Sequence, residues 1–321
     1  MTPHLSLVLF AHAHGLLALA PGHGVTHTTH HVASPPLQYW QAIVLGLLQG
    51  VAELFPISSI GHTVVFPALF GWHNVVAAES AKESFWLAFI VGLHVGTGVA
   101  LLIFYRRDWV KIIGAFLRSI ADRKIATPEA RLAWLIVVAT IPAALAGVLL
   151  EHAFRVLFTK PLPASIFLIV NGGILGVGEW YRRRHDHDGA SEERRSLDTF
   201  EYREAGVIGV AQTAALIAGI SRAGITMVAG LVRGLSYSDA ARFSFLLATP
   251  IIFLAGIYKL PDLMGPNGNG VRGQALVGAL VAGVAAYCAV AFLTRYFKSK
   301  NLLPFAIYCG VAGVLLTIRF A

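Results

Sequence analysis

The chain has 321 residues, of which 56% are hydrophobic and only 13% charged, with 25 Lys and Arg against 17 Asp and Glu for a net charge of +8. That composition excludes a soluble globular domain, and it makes the positive charge a matter of membrane orientation and anionic head groups rather than of nucleic acid. Cys288 and Cys309 both lie in apolar runs, which excludes a disulfide framework or a zinc knuckle.

Residues 1–36 join a short apolar run, LSLVLFAHAHGLLALA, to a His- and Thr-rich stretch and Pro35-Pro36. The run carries no Lys or Arg before it and is interrupted by histidine, so it reads as a variable, partly disordered leader rather than a signal peptide. His4, His12, His14, His23, His27, His30 and His31 repeat no ligand spacing.

Next comes QGVAELFPISSIGH, Gln49 to His62. Ionisable groups at membrane depth are costly and mark functional sites. Pro, two Ser and a Gly between Pro56 and Gly61 break the run, and irregular backbone survives at that depth only when buried in protein or lining a wet cavity. The pattern predicts a re-entrant hairpin over 40–71. Apolar runs of about 20 residues, each able to cross roughly 30 Å of hydrocarbon, follow at 85–105, 131–151 and 164–181. A second hairpin falls at 204–234, with spans at 239–259, 273–296 and 303–320.

The two hairpins are copies. A shift of 163 lays Val44, Gly46 and Gln49 on Val207, Gly209 and Gln212, then Ile57, Ser58, Gly61, Thr63 and Gly71 on Ile220, Ser221, Gly224, Thr226 and Gly234. Shared Gln, Ser and Gly at one ungapped offset indicate an internal duplication. The copies differ where chemistry is carried: Glu53, Ser59 and His62 face Leu216, Arg222 and Ile225.

Basic residues set the orientation. Seven Lys and Arg in 106–131, the run Arg182-Arg183-Arg184, and Arg295, Lys298 and Lys300 mark the cytoplasmic side, while 261–270 has no Lys or Arg. Three crossings per copy are odd, so the second copy is expected to be inverted. The organisation is then a leader (1–36), a first repeat (37–184), a charged cytoplasmic linker (185–203) and a second, inverted repeat (204–321). Inverted repeats with broken helices place their site near the midplane, with helix N-termini aimed at anions. The two tips should meet.

QGVAELFPISSIGH, followed by AGISRAGIT and ARFSFLLATP (241–250), resembles the paired signatures of the undecaprenyl-diphosphate phosphatase (bacitracin-resistance) family over about residues 38–320. Ala218 and Ala223 stand where that family commonly has Pro and Ser. The resemblance implies an all-α polytopic membrane enzyme of the bacterial plasma membrane. Such an enzyme removes the terminal phosphate of a polyprenyl diphosphate, with Mg²⁺ or Ca²⁺ as cofactor and the site opening to the extracytoplasmic side. Its partners are the lipid substrate and the surrounding membrane lipids, and a homo-oligomer is compatible with the sequence.

That reaction needs phosphate charge neutralised, a nucleophile and a proton carrier. Arg222 suits the first, since a guanidinium binds phosphate bidentately. Glu53 suits metal binding or general base catalysis, and Gln49, four residues earlier on the same helical face, suits ligation or hydrogen bonding. Ser59 reads as nucleophile, phosphate ligand or cap, and His62, one turn on, as proton acceptor, donor or attacking group. Ser58, matched by Ser221, reads as a helix cap; both, with Gln49 and Gln212, are assigned to substrate binding. Asn171 reads as glue between helices, Glu179 as a partner of the Arg182 cluster, and Asp239 as a capping residue, all outside the site. The rival reading is an inverted-repeat transporter or flippase of a polyprenyl phosphate, which would need the same anion-binding tips.

Overall fold

The computed structural model describes residues 37–80, 85–158, 160–187 and 195–321. The His-rich leader and residues 188–194 of the charged linker lie outside them. Twelve α-helices form the described chain: α1 (Tyr39–Ala52), α2 (Ser59–Leu69), α3 (His73–Ser80), α4 (Phe85–Phe104), α5 (Arg106–Ala121), α6 (Pro128–Phe158), α7 (Pro161–His187), α8 (Tyr202–Thr213), α9 (Arg222–Val232), α10 (Tyr237–Met264), α11 (Arg272–Tyr296) and α12 (Leu303–Phe320). No strand occurs among the described residues beyond one isolated bridge, Arg195 to Leu235.

Five of these helices are long and apolar enough to cross a bilayer, and α4 together with α5 makes a sixth candidate. The outside of the bundle is apolar: Leu149, Ile257, Val284 and Ile318 are all well exposed. With no water in hydrocarbon to satisfy backbone groups, helices are the structures that can present such a surface. The chain is an all-α polytopic membrane protein.

The helices of the two duplicated segments are each too short to cross on their own. At 1.5 Å per residue the 14 residues of α1 span about 21 Å, well short of the hydrocarbon. The bounds of α1 and α2, moved by 163, start α8 at Tyr202 and reproduce α9, Arg222–Val232, at both ends. The sequence duplication is thus a duplication of structure at the hairpins. It extends to packing, because α1 lies against α11 and α8 against α6. The duplicated pair Gly46 and Gly209 sits at these crossings. A Cβ on Gly46 would fall 2.5 Å from the Gly278 carbonyl oxygen, and one on Gly209 would fall 2.5 Å from that of Ala139. Small residues let membrane helices approach backbone to backbone.

Two helices were not expected. α3 is one, and α5 is the other, a helix bent 86° from α4 within the basic connection. Val110, Ile113, Leu117 and Ile120 make an exposed apolar stripe on α5, flanked by Arg107, Lys111 and Arg118, while Ile112 and Ser119 are buried. This is the pattern of a helix lying in a membrane interface. Its cationic residues drew the reading toward a loop.

Glu179 pairs with the arginine cluster as expected, through Arg183, and also ties three helices together. Its carboxylate accepts from Arg183 Nε at 2.7 Å, from the Tyr237 hydroxyl at 2.6 Å and from the Leu302 N–H at 3.4 Å. Arg182 lies over the Tyr237 ring, 3.8 Å from its centroid. At the start of α10 Ser236 is the N-cap and Asp239 its reciprocal partner, with Ser236 Oγ both donating to Asp239 Oδ2 and accepting from the Asp239 N–H.

Replacing Gly46 or Gly209 by Val should lower stability by about 1–3 kcal/mol, the range for overpacking a tight contact. Thermal unfolding of detergent-purified protein measures it, and Gly173→Val, where nothing lies within 4 Å of an added Cβ, is the comparison that should stay near wild type.

Candidate active site

The site starts from the two tips. Past α1 the chain turns through Pro56, and Ser58 takes φ 72°, a conformation costly for a residue with a Cβ. Its hydroxyl oxygen accepts from the Gly61 N–H at 3.2 Å, capping α2, and from the Gly219 N–H of the other hairpin at 3.1 Å. Ser221 caps α9 in the same way through the Gly224 N–H at 3.1 Å. Gly219 (φ 104°) passes so close to α7 that a Cβ would fall 2.4 Å from the Ala164 carbonyl oxygen. Asn171 completes the join. Its Nδ2 donates to the Pro56 carbonyl at 3.0 Å and its Oδ1 accepts from the Ser221 N–H at 2.9 Å. The glue residue of α7 therefore holds the two tips to each other.

The meeting of the tips brings Glu53, at the end of α1, to Arg222, at the start of α9. Arg222 Nη2 donates to Glu53 Oε1 at 2.7 Å. Glu53 Oε2 accepts from the Ser59 hydroxyl at 2.5 Å and from Gln49 Nε2 at 2.9 Å, and lies 3.3 Å from His94 Nε2. Three of these contacts crowd Oε2 and one meets Oε1, so of the roughly four acceptor positions of a carboxylate one on Oε1 is left open. Arg222 Nη1, Gln49 Oε1 and both amide atoms of Gln212 are buried without a hydrogen-bond partner. Buried polar groups are normally satisfied, so such atoms call for an explanation.

A cavity of about 520 Å³ opens beside them, lined on its polar side by Glu53, Ser59, His94, Gln212 and Arg222 and elsewhere by largely apolar stretches of α4, α6 and α10, with Tyr258 and Lys259 among them. Ser58 and Ser221 reach the cavity wall, but their oxygens serve as caps. Gln49 does not line it, and orients Glu53 from behind. The N-termini of α2 and α9 begin at the cavity, presenting N–H groups without intrahelical partners.

His62 is not where its spacing from Ser59 suggested. Its Nδ1 lies 2.7 Å from the Ser58 carbonyl oxygen and its Nε2 2.8 Å from the Tyr308 hydroxyl. Among the described residues no hydrogen bond joins it to Ser59 or Glu53. Because α2 starts at Ser59, one turn along the helix carries His62 past the cavity toward α12. His94 of α4 holds the place instead. Its Nδ1 donates to the Ile90 carbonyl at 2.8 Å, which turns Nε2 toward Glu53. A lone histidine in the apolar run 85–104 was the signal for it.

For a cation the donor set is narrow. Among the described residues no group of three His, Cys, Asp or Glu could enclose a metal ion. Glu53 and the unpartnered Gln212 oxygen suit a hard cation whose other ligands are phosphate oxygens and water, the usual case for Mg²⁺.

A multi-pass membrane protein whose paired tips hold an arginine, a carboxylate and a serine beside an apolar cavity belongs to the class that handles phosphorylated lipids. The chain belongs to the family described as Bacitracin resistance protein BacA, whose model matches residues 42–315. It is 51% identical to the protein named undecaprenyl-diphosphatase 2 of Frankia alni, over 89% of this chain and 98% of that one. It is 54% identical to the undecaprenyl-diphosphatase of Mycolicibacterium paratuberculosis (86% and 95% covered). It is 40% identical to undecaprenyl-diphosphatase 2 of Burkholderia orbicola (87% and 95% covered).

Asn171→Leu keeps the branched outline but leaves the Ser221 N–H unpaired and the Pro56 carbonyl with only the weak Cys309 thiol donor. It should cost about 2–4 kcal/mol, on the basis of roughly 1–3 kcal/mol for each buried orphan, and its midpoint of thermal unfolding should fall. A midpoint equal to wild type would mean that Asn171 does not hold the tips.

Proposed function

We propose that the chain hydrolyses undecaprenyl diphosphate to undecaprenyl phosphate and inorganic phosphate, returning the lipid carrier to cell-wall synthesis. The observation that carries this reading is the Ser59 hydroxyl donating at 2.5 Å to a carboxylate that also holds Arg222. The names of the relatives speak for the same reaction, and a pure carrier has no need of an activated hydroxyl.

The unpartnered Arg222 Nη1, the Gln212 amide and the N-termini of α2 and α9 receive the diphosphate, where positive charge is fixed before substrate arrives. Glu53 takes the Ser59 proton as Oγ attacks the terminal phosphorus. The Oγ–P bond forms, the bond from phosphorus to the bridging oxygen breaks, and undecaprenyl phosphate leaves. Water then attacks the phosphoserine, giving inorganic phosphate and restoring the hydroxyl. His94, in contact with the same carboxylate oxygen, passes the proton on; this is the part first assigned to His62, which instead supports the tip through the Ser58 carbonyl. A divalent cation, Mg²⁺ or Ca²⁺, held by Glu53 and the substrate's own oxygens, would neutralise phosphate charge.

The same reading gives the protein its orientation. The basic ends at 106–131, Arg182 to Arg184 and Arg295 to Lys300 face the cytoplasm. The second repeat is inverted relative to the first, and the site opens to the extracytoplasmic side of the bacterial plasma membrane.

Phosphate release from undecaprenyl diphosphate by detergent-purified protein tests the reading. Glu53→Gln and Ser59→Ala should each lower kcat about 10²–10⁴-fold, the range for a lost general base or its partner. His94→Phe should fall well below wild type, and His62→Asn should keep more activity than His94→Phe. No release from folded wild-type protein would overturn the assignment. Chelation should abolish release and added Mg²⁺ or Ca²⁺ restore it; full activity in chelator would remove the cation from the scheme.

A further inference from the structure

A second, smaller cavity shares no lining residue with the catalytic one. It holds about 220 Å³ between the corner where α4 turns into α5, the start of α10 and the end of α11. Tyr105, Ser238, Arg242 and Thr294 line it with polar groups, and Ala241, Phe245 and Phe297 complete the wall. That volume is below the range of drug-sized sites and suits a small headgroup. Arg242 Nη2 donates to Asp108 Oδ1 of α5. A guanidinium carries five N–H donors, so it has others for a second partner. The Tyr105 and Ser238 hydroxyls add O–H donors, while Thr294 Oγ1 is committed to the Val290 carbonyl at 2.6 Å.

The balance of charge around the opening is positive. Arg106, Arg295 and Lys298 each follow a lining residue directly in the chain, and all three are exposed. The nearby acids are already engaged, Asp108 by Arg242 and Asp239 by Ser236. Such a concentration of basic groups draws anions. The setting is also that of a membrane interface, because α5 runs away from this corner with its apolar stripe exposed. Ile103 of α4 and Phe292 of α11, each two residues before a lining residue, are exposed apolar side chains. Both helices end at this corner, so these two lie deeper in the bilayer than the pocket does. A soluble anion would use only the polar wall. A phospholipid uses both, with its phosphate on Arg242 and its chains against Ile103 and Phe292.

We propose that this pocket binds the phosphate of an anionic phospholipid, such as phosphatidylglycerol, and so fastens the α4–α5 corner to α10 and α11. The phosphate accepts from Arg242, Ser238 and Tyr105, which come from three different helix ends. The pair between Arg242 and Asp108 already joins α5 to α10, and the lipid adds α11 and the bilayer to that joint. The site is independent of the phosphatase reading, and its ligand is detected without turnover.

The thermal unfolding midpoint of the full, detergent-purified chain reads the binding. Phosphatidylglycerol should raise it by roughly 5 °C, as mass action requires of a native-state ligand held well above its Kd. Phosphatidylcholine and inorganic phosphate at the same concentration should not. An equal shift from phosphatidylcholine would refute an anion site, and an equal shift from inorganic phosphate would refute a lipid as its occupant. Ser238→Phe fills the pocket and leaves every basic residue in place, while Arg242→Gln removes the guanidinium; both should lose most of the shift. Arg118→Gln, on α5 but outside the pocket, should keep it. A shift retained in both pocket variants, or lost equally in Arg118→Gln, would overturn the proposal, since the lipid would then only coat a basic surface. Where the pocket variants fail to fold, wild-type protein and a phosphatidylglycerol with a photoreactive headgroup decide the matter. Crosslinks within 105–108, 238–245 or 294–298 support the site, and crosslinks confined to other segments refute it.

Discussion

The contact between Glu53 and Arg222 is the constraint on which the rest of the structure depends. A carboxylate and a guanidinium buried inside a membrane bundle each carry a desolvation cost of several kcal/mol, offset only when they are close and fully hydrogen-bonded. One comes from the end of α1 and the other from the start of α9. Neither hairpin can satisfy its own charge. Both must reach the interior and face each other, which suits α1, α2, α8 and α9, each too short to span on its own.

Stopping a helix inside a membrane leaves its terminal N–H groups unpaired, and the tips answer this with the same device twice. Ser58 and Ser221 cap the returning helices, while Gly219 and Asn171 complete the polar contacts between them. The duplication explains the shared serines and glycines as architecture. The differences between the copies supply the chemistry: acid and hydroxyl on one tip, cation on the other. An arrangement that began as a symmetric fold has become an asymmetric site.

The polar cluster is in turn shaped by helices that contribute no charge to it. α4 brings His94 to Glu53, and α6 and α10 supply much of the apolar cavity wall. The cavity thus has a head of fixed dipoles and cations and an apolar side facing lipid. A ligand that is itself a charged head on an apolar chain matches both. The fit is electrostatic at one end and dispersive along the rest.

Much of this was legible in the sequence, because membranes restrict what a chain can do. Apolar runs gave the spans, and the break at Pro56 to Gly61 marked the turn between α1 and α2. The ungapped offset gave the second hairpin to within a few residues, and costly polar residues marked Gln49, Glu53, Ser59 and Arg222. Periodicity alone could not say which polar group meets which. His62 and Ser59 are a turn apart, yet the start of α2 sends the histidine to Tyr308. His94 lies 41 residues beyond Glu53 and reaches it because α4 packs beside α1. Asn171 read as generic glue because its partners, Pro56 and Ser221, lie far along the chain in both directions. The sequence by itself determined the elements, their duplication and the identity of the charged groups, since those follow from local transfer energies and spacing. Only the tertiary structure decided the proton partners of Glu53, the donors left free and the open side of the cavity, since those depend on distances between helices that no local pattern encodes.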